Sequence, residues 1–239
     1  LIYSPRRGSR LAYAIAERPE GPYEYKGYII DNGVDFPGGN NHGSLACIKG
    51  QWYIFYHRMT NNSIMSRRAC VEKVTILPDG TIPTVEMTSL GFEDALNPYR
   101  PVKAEIACVL KNGPFITEHN LFERVITEIH HDSVIGYKYF DFGHDDSSLT
   151  YELALKVRGM GVHCNVDVSA DGYGTQENPG TKIGTLDIGL GDGDYRGRVK
   201  ALTGRHAIYF VAQQNNQGWT RDYFAHRPLF ELEEFVFLK

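Results

Sequence analysis

Apolar and polar positions along the chain alternate in short runs, and Gly, Pro, Asn and Asp break those runs every few residues. That pattern belongs to strands and turns rather than to amphipathic helices. Leu1–Ser4 reads as the end of a strand, and Arg10–Glu17 and Tyr25–Ile30 as further strands around a loop holding Pro19, Gly21 and Pro22. His42–Ile48 and Trp52–His57 form a hairpin signal across Lys49, Gly50 and Gln51. The second of these strands is almost wholly aromatic or β-branched, which suits a sheet covered on both faces. Gly38, Gly39, Asn40 and Asn41 make a polar loop that delivers His42 to the first position of the hairpin. Arg67–Ile76 is the next strand, followed by a tight turn at Asp79 and Gly80.

Residues 91–101 lose the alternation and carry Pro98 and Pro101, so they read as a linker. Beyond Val102 short strands recur between turn signals, most clearly at Tyr151–Val157, Val162–Val168, Lys182–Ile188, Arg198–Leu202 and His206–Gln213. No convincing helix pattern appears. This spacing predicts a β-sandwich or barrel. The expected organisation is therefore residues 1–90, a linker over 91–101, and a sandwich over 102–239.

Several stretches carry a family resemblance. Ala14-Ile15-Ala16-Glu17, then Gly21-Pro22-Tyr23, Gly27 and Ile29, resemble the penultimate blade of the five-bladed propeller of family 43 glycoside hydrolases. The His42 hairpin is similar to the last blade, and Arg67 to Ile82 to its closing strand and Asp-Gly turn. The second half resembles a family 6 carbohydrate-binding module, through Val102-Lys103-Ala104-Glu105, Ile135-Gly136-Tyr137, Gly204–Val211 and Leu229–Phe237. The fold class implied is all-β: the last two blades of a propeller, then a jelly-roll-like sandwich. The chain starts Leu1-Ile2-Tyr3 within a strand pattern, so it reads as a fragment whose other blades precede it.

Charge and cysteine content add bounds. The 239 residues carry a formal net charge of -4, which gives no basic footprint for nucleic acid. No apolar run approaches the roughly 20 residues that span a bilayer. Cys47, Cys70, Cys108 and Cys164 show no zinc spacing. Cys47 and Cys70 read as buried thiols, with a disulfide between them left open.

Glycoside hydrolysis uses two carboxyl groups, and an inverting pair stands roughly 6.5–9.5 Å apart with a water between base and sugar. The resemblance places the base Asp, a second Asp and the acid Glu in the first three blades, before Leu1. Asp31, Asp35 and Glu72 are read as loop or surface charges. His42 is implied to hold an ion or water on the propeller axis, which a neutral imidazole does when its other nitrogen is hydrogen-bonded. Arg68 matches the family's Arg near the reacting carboxylates; Arg67 is the alternative, because neighbouring strand residues face opposite ways. Phe36, Asn40 and Asn41 are candidates to line the pocket.

In the sandwich, Glu105 and Glu233 match residues that hold a structural calcium in the family, although Lys103 replaces one acidic position. Tyr137, Tyr195 and Trp219 are candidates to stack on sugar rings. The alternatives for these residues are a backbone-satisfied loop histidine, solvated arginines, surface glutamates and core aromatics. The function expected is part of an inverting enzyme acting on arabinose- or xylose-containing plant polysaccharide, with no activity in this chain alone. That substrate class favours a secreted or periplasmic setting. Expected partners are cell-wall poly- or oligosaccharide, and an N-terminal propeller fragment or another copy of the chain. The rival is a non-catalytic carbohydrate-binding or structural β protein.

Overall fold

The structure, a computed structural model, describes every residue except 34, 35, 37, 38, 62 and 145–148. The chain divides into two compact units, Leu1–Glu93 and Asp94–Lys239.

The first unit holds two antiparallel sheets of three strands each. β1 (Ile2–Tyr3), β2 (Arg10–Ile15) and β3 (Glu24–Asp31) form one, and β4 (Ser44–Ile48), β5 (Gln51–Met59) and β6 (Arg67–Val74) the other. Each is a propeller-blade sheet, a meander closed by local turns. Leu11, Tyr13, Ile29 and Ile30 of the first sheet share a core with Ile54, Tyr56 and Val74 of the second. Ile82 joins this core, and its backbone N–H donates to the Tyr13 hydroxyl at 2.9 Å. The opposite face of β5 is covered in part by Phe92, whose ring lies 5.2 Å from Tyr53 and 6.1 Å from Phe55. β5 is thus packed on both sides, as its unbroken apolar run implies.

Two readings of this unit change. The strand expected from His42 begins at Ser44, so His42 lies in the approach to the strand and not at its first position. Cys47 is exposed and Cys70 half-buried, and all four cysteines are free thiols. Cys47 faces Trp52 and Cys70 faces Tyr56 in the ladders, so each thiol has its own cross-strand partner. Asp35 and Gly38 lie outside the described residues.

The second unit is one path of hydrogen-bonded strands folded into a jelly-roll-like sandwich. Its strands are β7 (Val102–Lys103), β8 (Val109–Lys111), β9 (Phe115–Glu118), β10 (Arg124–Ile129), β11 (Val134–Asp141) and β12 (Thr150–Gly159). β13 (Cys164–Gly172), β14 (Pro179–Ile188), β15 (Gly193–Lys200), β16 (Arg205–Gln214) and β17 (Phe230–Leu238) follow. The order is β8-β11-β16-β13-β14-β15-β12-β17-β10-β9, with β7 on β17. β14 and β15 share the single register pair Gly184–Val199, and there the path turns over. Aromatic rings fill the space between the two arms: Phe235 of β17 lies 4.7 Å from Tyr137 of β11 and 4.9 Å from Phe210 of β16.

Among the described residues one short α-helix interrupts the strands, α1 (Trp219–Phe224), where no helix was expected. Six residues are too few to show a 3.6-residue period in sequence. The stretch 94–101, within the expected linker, is tied to the second unit: Leu96 N–H donates to the Tyr139 carbonyl at 2.8 Å, and Phe237 N–H to the Pro98 carbonyl at 2.9 Å.

Candidate functional site

The loop entering β4 is held by hydrogen bonds to the end of β5. Asn32, itself buried, donates from Nδ2 to the His57 carbonyl at 3.1 Å. His57 N–H donates to Asn41 Oδ1 at 3.2 Å. The His57 ring completes the set: Nε2 lies 3.0 Å from the Asn40 carbonyl, and Nδ1 accepts the His42 N–H at 3.4 Å. His57 is 9% exposed, and burial is the largest of the effects that lower its pKa; the Asn40 carbonyl opposes that shift, and the Arg67 and His42 charges add to it.

These bonds leave the His42 side chain exposed, with Nε2 3.4 Å from Asn40 Nδ2. Its ring centre is 5.7 Å from that of His57. Gly43 makes this approach sterically feasible. A Cβ there would stand 2.4 Å from the Phe55 carbonyl oxygen and 2.4 Å from Leu11 Cδ1. Asn41 is fully buried, and its Nδ2 has no hydrogen-bond partner among the described residues. Such a donor is costly unless water or a ligand hydroxyl meets it. It suits an oxygen acceptor and not a bare cation, so of the two axial groups expected here, water fits these residues better.

Phe36, expected to line the pocket, is 3% exposed and lies beneath the Arg58 guanidinium at 4.9 Å. It is a packing residue for Arg58, which also donates from Nη1 to Met87 Sδ at 3.4 Å. The β5–β6 register pairs Arg58 with Arg68 and Met59 with Arg67. Directly opposed residues of an antiparallel pair share a face. Arg68 therefore lies on the Arg58 face, and Arg67 on the His57 face. Arg67 is exposed and donates from Nε to the Ile64 carbonyl at 3.2 Å.

Glu72 corrects another expectation. It is 4% exposed, not a surface charge. Its carboxylate accepts Thr88 N–H at 2.7 Å, the Thr88 hydroxyl at 2.6 Å and the Tyr56 hydroxyl at 3.4 Å. Burial raises its pKa, and the Thr88 and Tyr56 bonds offset part of that rise. Asp31, the last residue of β3, remains an exposed surface charge, paired with Arg10 at 2.9 Å.

Known proteins place this geometry in context. No family model matches the chain. A xylosidase/arabinosidase from Thermoclostridium stercorarium is 45% identical over 125 residues, 47% of this chain and 26% of that protein. A solved family 43 arabinoxylan arabinofuranohydrolase from Bacillus subtilis, in complex with cellotetraose, has the fold of nearly the whole chain. It matches 97% of this chain and 48% of its own with a TM-score of 0.55 at 21% identity. The chain is thus similar in sequence to a xylosidase/arabinosidase over about half its length, and similar in fold to a family 43 enzyme. An arabinoxylan arabinofuranohydrolase from Paenibacillus polymyxa is 27% identical over 228 residues, 87% of this chain. The matched region spans 34% of that relative's length, so the chain corresponds to about a third of it.

The sandwich candidates separate in the second unit. Tyr137 has no exposed surface; its hydroxyl donates to the Ala104 carbonyl at 3.1 Å and its ring packs on Phe210 and Phe235. It is a core residue and has no face open to a sugar. Tyr195 is half-buried in β15, with its hydroxyl on the Gly191 carbonyl at 2.7 Å. Trp219 is 78% exposed on α1, in edge contact with Tyr223 at 6.5 Å.

Glu105 and Glu233 line one small cleft of about 70 Å³ together with Lys103, Glu123, Arg124 and Lys156. Lys156 Nζ is 2.9 Å from Glu233, and Arg124 Nη1 3.9 Å from Glu105. The Glu233 hydrogen bond and charge raise the Lys156 pKa. Among the described residues no three His, Cys, Asp or Glu gather into a metal-binding group. Calcium takes about 6–8 oxygen ligands. A cleft whose carboxylates already face cations does not fit it.

The residue that sequence reading missed is His57. Its signal was present: His57 and Arg58 are polar residues closing an otherwise apolar strand, and both are buried. Such residues need partners.

Proposed function

We propose that this chain is the C-terminal part of an inverting glycoside hydrolase acting on arabinose- or xylose-containing plant polysaccharide. The observation that carries the reading is the exposed His42 imidazole beside the buried Asn41 amide, in a segment held at the head of a blade by three hydrogen bonds to His57. In this reading His42 and Asn41 bind a water or substrate hydroxyl at the propeller axis. The acid and base come from blades that precede Leu1, with a water between the base and the sugar. Arg68, beside Arg58, adds positive charge that favours the ionised form of a neighbouring carboxylate, as a general base requires.

The sandwich supplies a polysaccharide-binding surface. Tyr195 and the exposed Trp219 are its aromatic candidates. A second candidate is a cleft of about 920 Å³, lined by Asp167, Ser169, Tyr173, Lys182 and Gln213 among others. An N-terminal propeller fragment, or another copy of the chain, is the protein partner.

The test is sugar release from arabinoxylan. The pure 239-residue chain is expected to release no arabinose or xylose, and the complete five-bladed enzyme to release one of them with inverted anomeric configuration. Release by the isolated chain, or retention of configuration, overturns the proposal.

A further inference from the structure

We infer that His57 is the positioning residue of the His42 site: its ring and backbone set the conformation of Asn40, Asn41 and His42 that presents the His42 imidazole. This rests on the reading of His42 as an active-site residue.

His57 has four polar groups, and each meets the loop. Its carbonyl takes Asn32 Nδ2, its N–H meets Asn41 Oδ1, Nε2 meets the Asn40 carbonyl and Nδ1 meets the His42 N–H. A carbonyl accepts and a backbone N–H donates, so the two ring contacts demand opposite roles. Nε2 must carry the hydrogen and Nδ1 must be bare. One neutral tautomer satisfies both, and the other satisfies neither. Burial and the nearby Arg67 and His42 charges favour the neutral ring. An apolar side chain of equal size would fill the space yet leave the Asn40 carbonyl and the His42 N–H unbonded by it. Those two peptide groups flank Asn41, and the second belongs to His42 itself. His57 thus acts on the site through the backbone, without touching the reacting atoms.

The experiment uses the 239-residue chain, labelled with ¹⁵N, at one pH near neutrality. Long-range ¹H–¹⁵N correlation reads the His57 tautomer, and amide hydrogen exchange reads the His42 N–H. The expected tautomer is Nε2–H. His57→Phe is expected to speed His42 amide exchange about fivefold or more, the loss of one ordinary hydrogen bond, while Ile54 and Phe55 amides keep their protection. His57→Gln offers one donor and one acceptor from a similar reach, and is expected to restore part of the His42 protection. An Nδ1–H tautomer, or a His42 amide equally protected in the Phe variant, overturns the inference. Should the Phe variant fail to fold, the wild-type tautomer decides. Failure of the hydrolase reading shows separately, as unchanged turnover on removing the His42 side chain, and leaves the tautomer result intact.

Discussion

Adding one methyl group at Gly43 tests how the His42 loop is seated. In Gly43→Ala the new Cβ would meet the Phe55 carbonyl oxygen and Leu11 Cδ1, each at 2.4 Å. Leu11 is 1% exposed and part of the core shared by the two blades, so its side chain has little room to retreat. The Phe55 oxygen belongs to the central strand of its sheet, paired on both sides. Neither neighbour yields cheaply, so the loop must lift. Overpacking of this kind costs about 1–3 kcal/mol. Lifting also stretches the Asn41 and His42 contacts with His57, which places the expected loss in the upper half of that range. The assay is urea unfolding followed by tryptophan fluorescence. Trp52 lies on β5 and Trp219 on α1, so a Trp219→Phe background leaves Trp52 as the sole reporter of the first unit. With a urea m-value of about 1–3 kcal/mol/M, a 2 kcal/mol loss moves the midpoint by roughly 1 M. A Gly43→Ala midpoint equal to that of the parent would refute the packing argument.

Two further outcomes are expected. Glu72 has a raised folded-state pKa, so its contribution to stability is full below the unfolded carboxyl pKa and is lost as pH rises through the folded value. Glu72→Gln should therefore match or exceed the parent in stability near pH 7 and lose that advantage in acid. A pH series of urea midpoints checks this, and a large loss at pH 7 contradicts it. In the sandwich, Lys156 and Arg124 already face the glutamates expected to hold calcium. Thermal unfolding of the second unit should not shift on adding EDTA or millimolar calcium; a rise of several degrees with calcium would show that the ion binds.

The strands were legible because their period of two survives tertiary packing. The apolar run from Trp52 onward reports burial on both faces, and β5 is packed on both faces. Other features depended on partners distant in sequence. Glu72 looked like a surface charge because Thr88, which satisfies it, sits 16 residues later in an irregular strap. Tyr137 looked like a sugar platform because Val134–Tyr137 is an unbroken apolar run, so pattern alone cannot say which face an aromatic takes; the contact with Phe235 of β17 decides it. The facing of Arg67 and Arg68 follows from register, and register follows from the hairpin as folded. The sequence shows His57 as a polar residue closing an apolar strand but not its partners, which meet it once the loop before β4 returns to the end of β5.

The most direct test of the account is turnover of arabinoxylan by the complete enzyme with and without the His42 side chain. His42→Ala removes an exposed polar ring and little apolar burial, so the fold should persist with unchanged circular dichroism and unfolding midpoint. The account predicts a fall in kcat of about a hundredfold or more, the scale on which a positioned active-site group acts. A variant that keeps the parent kcat on a folded scaffold would contradict the assignment of His42 to the active site.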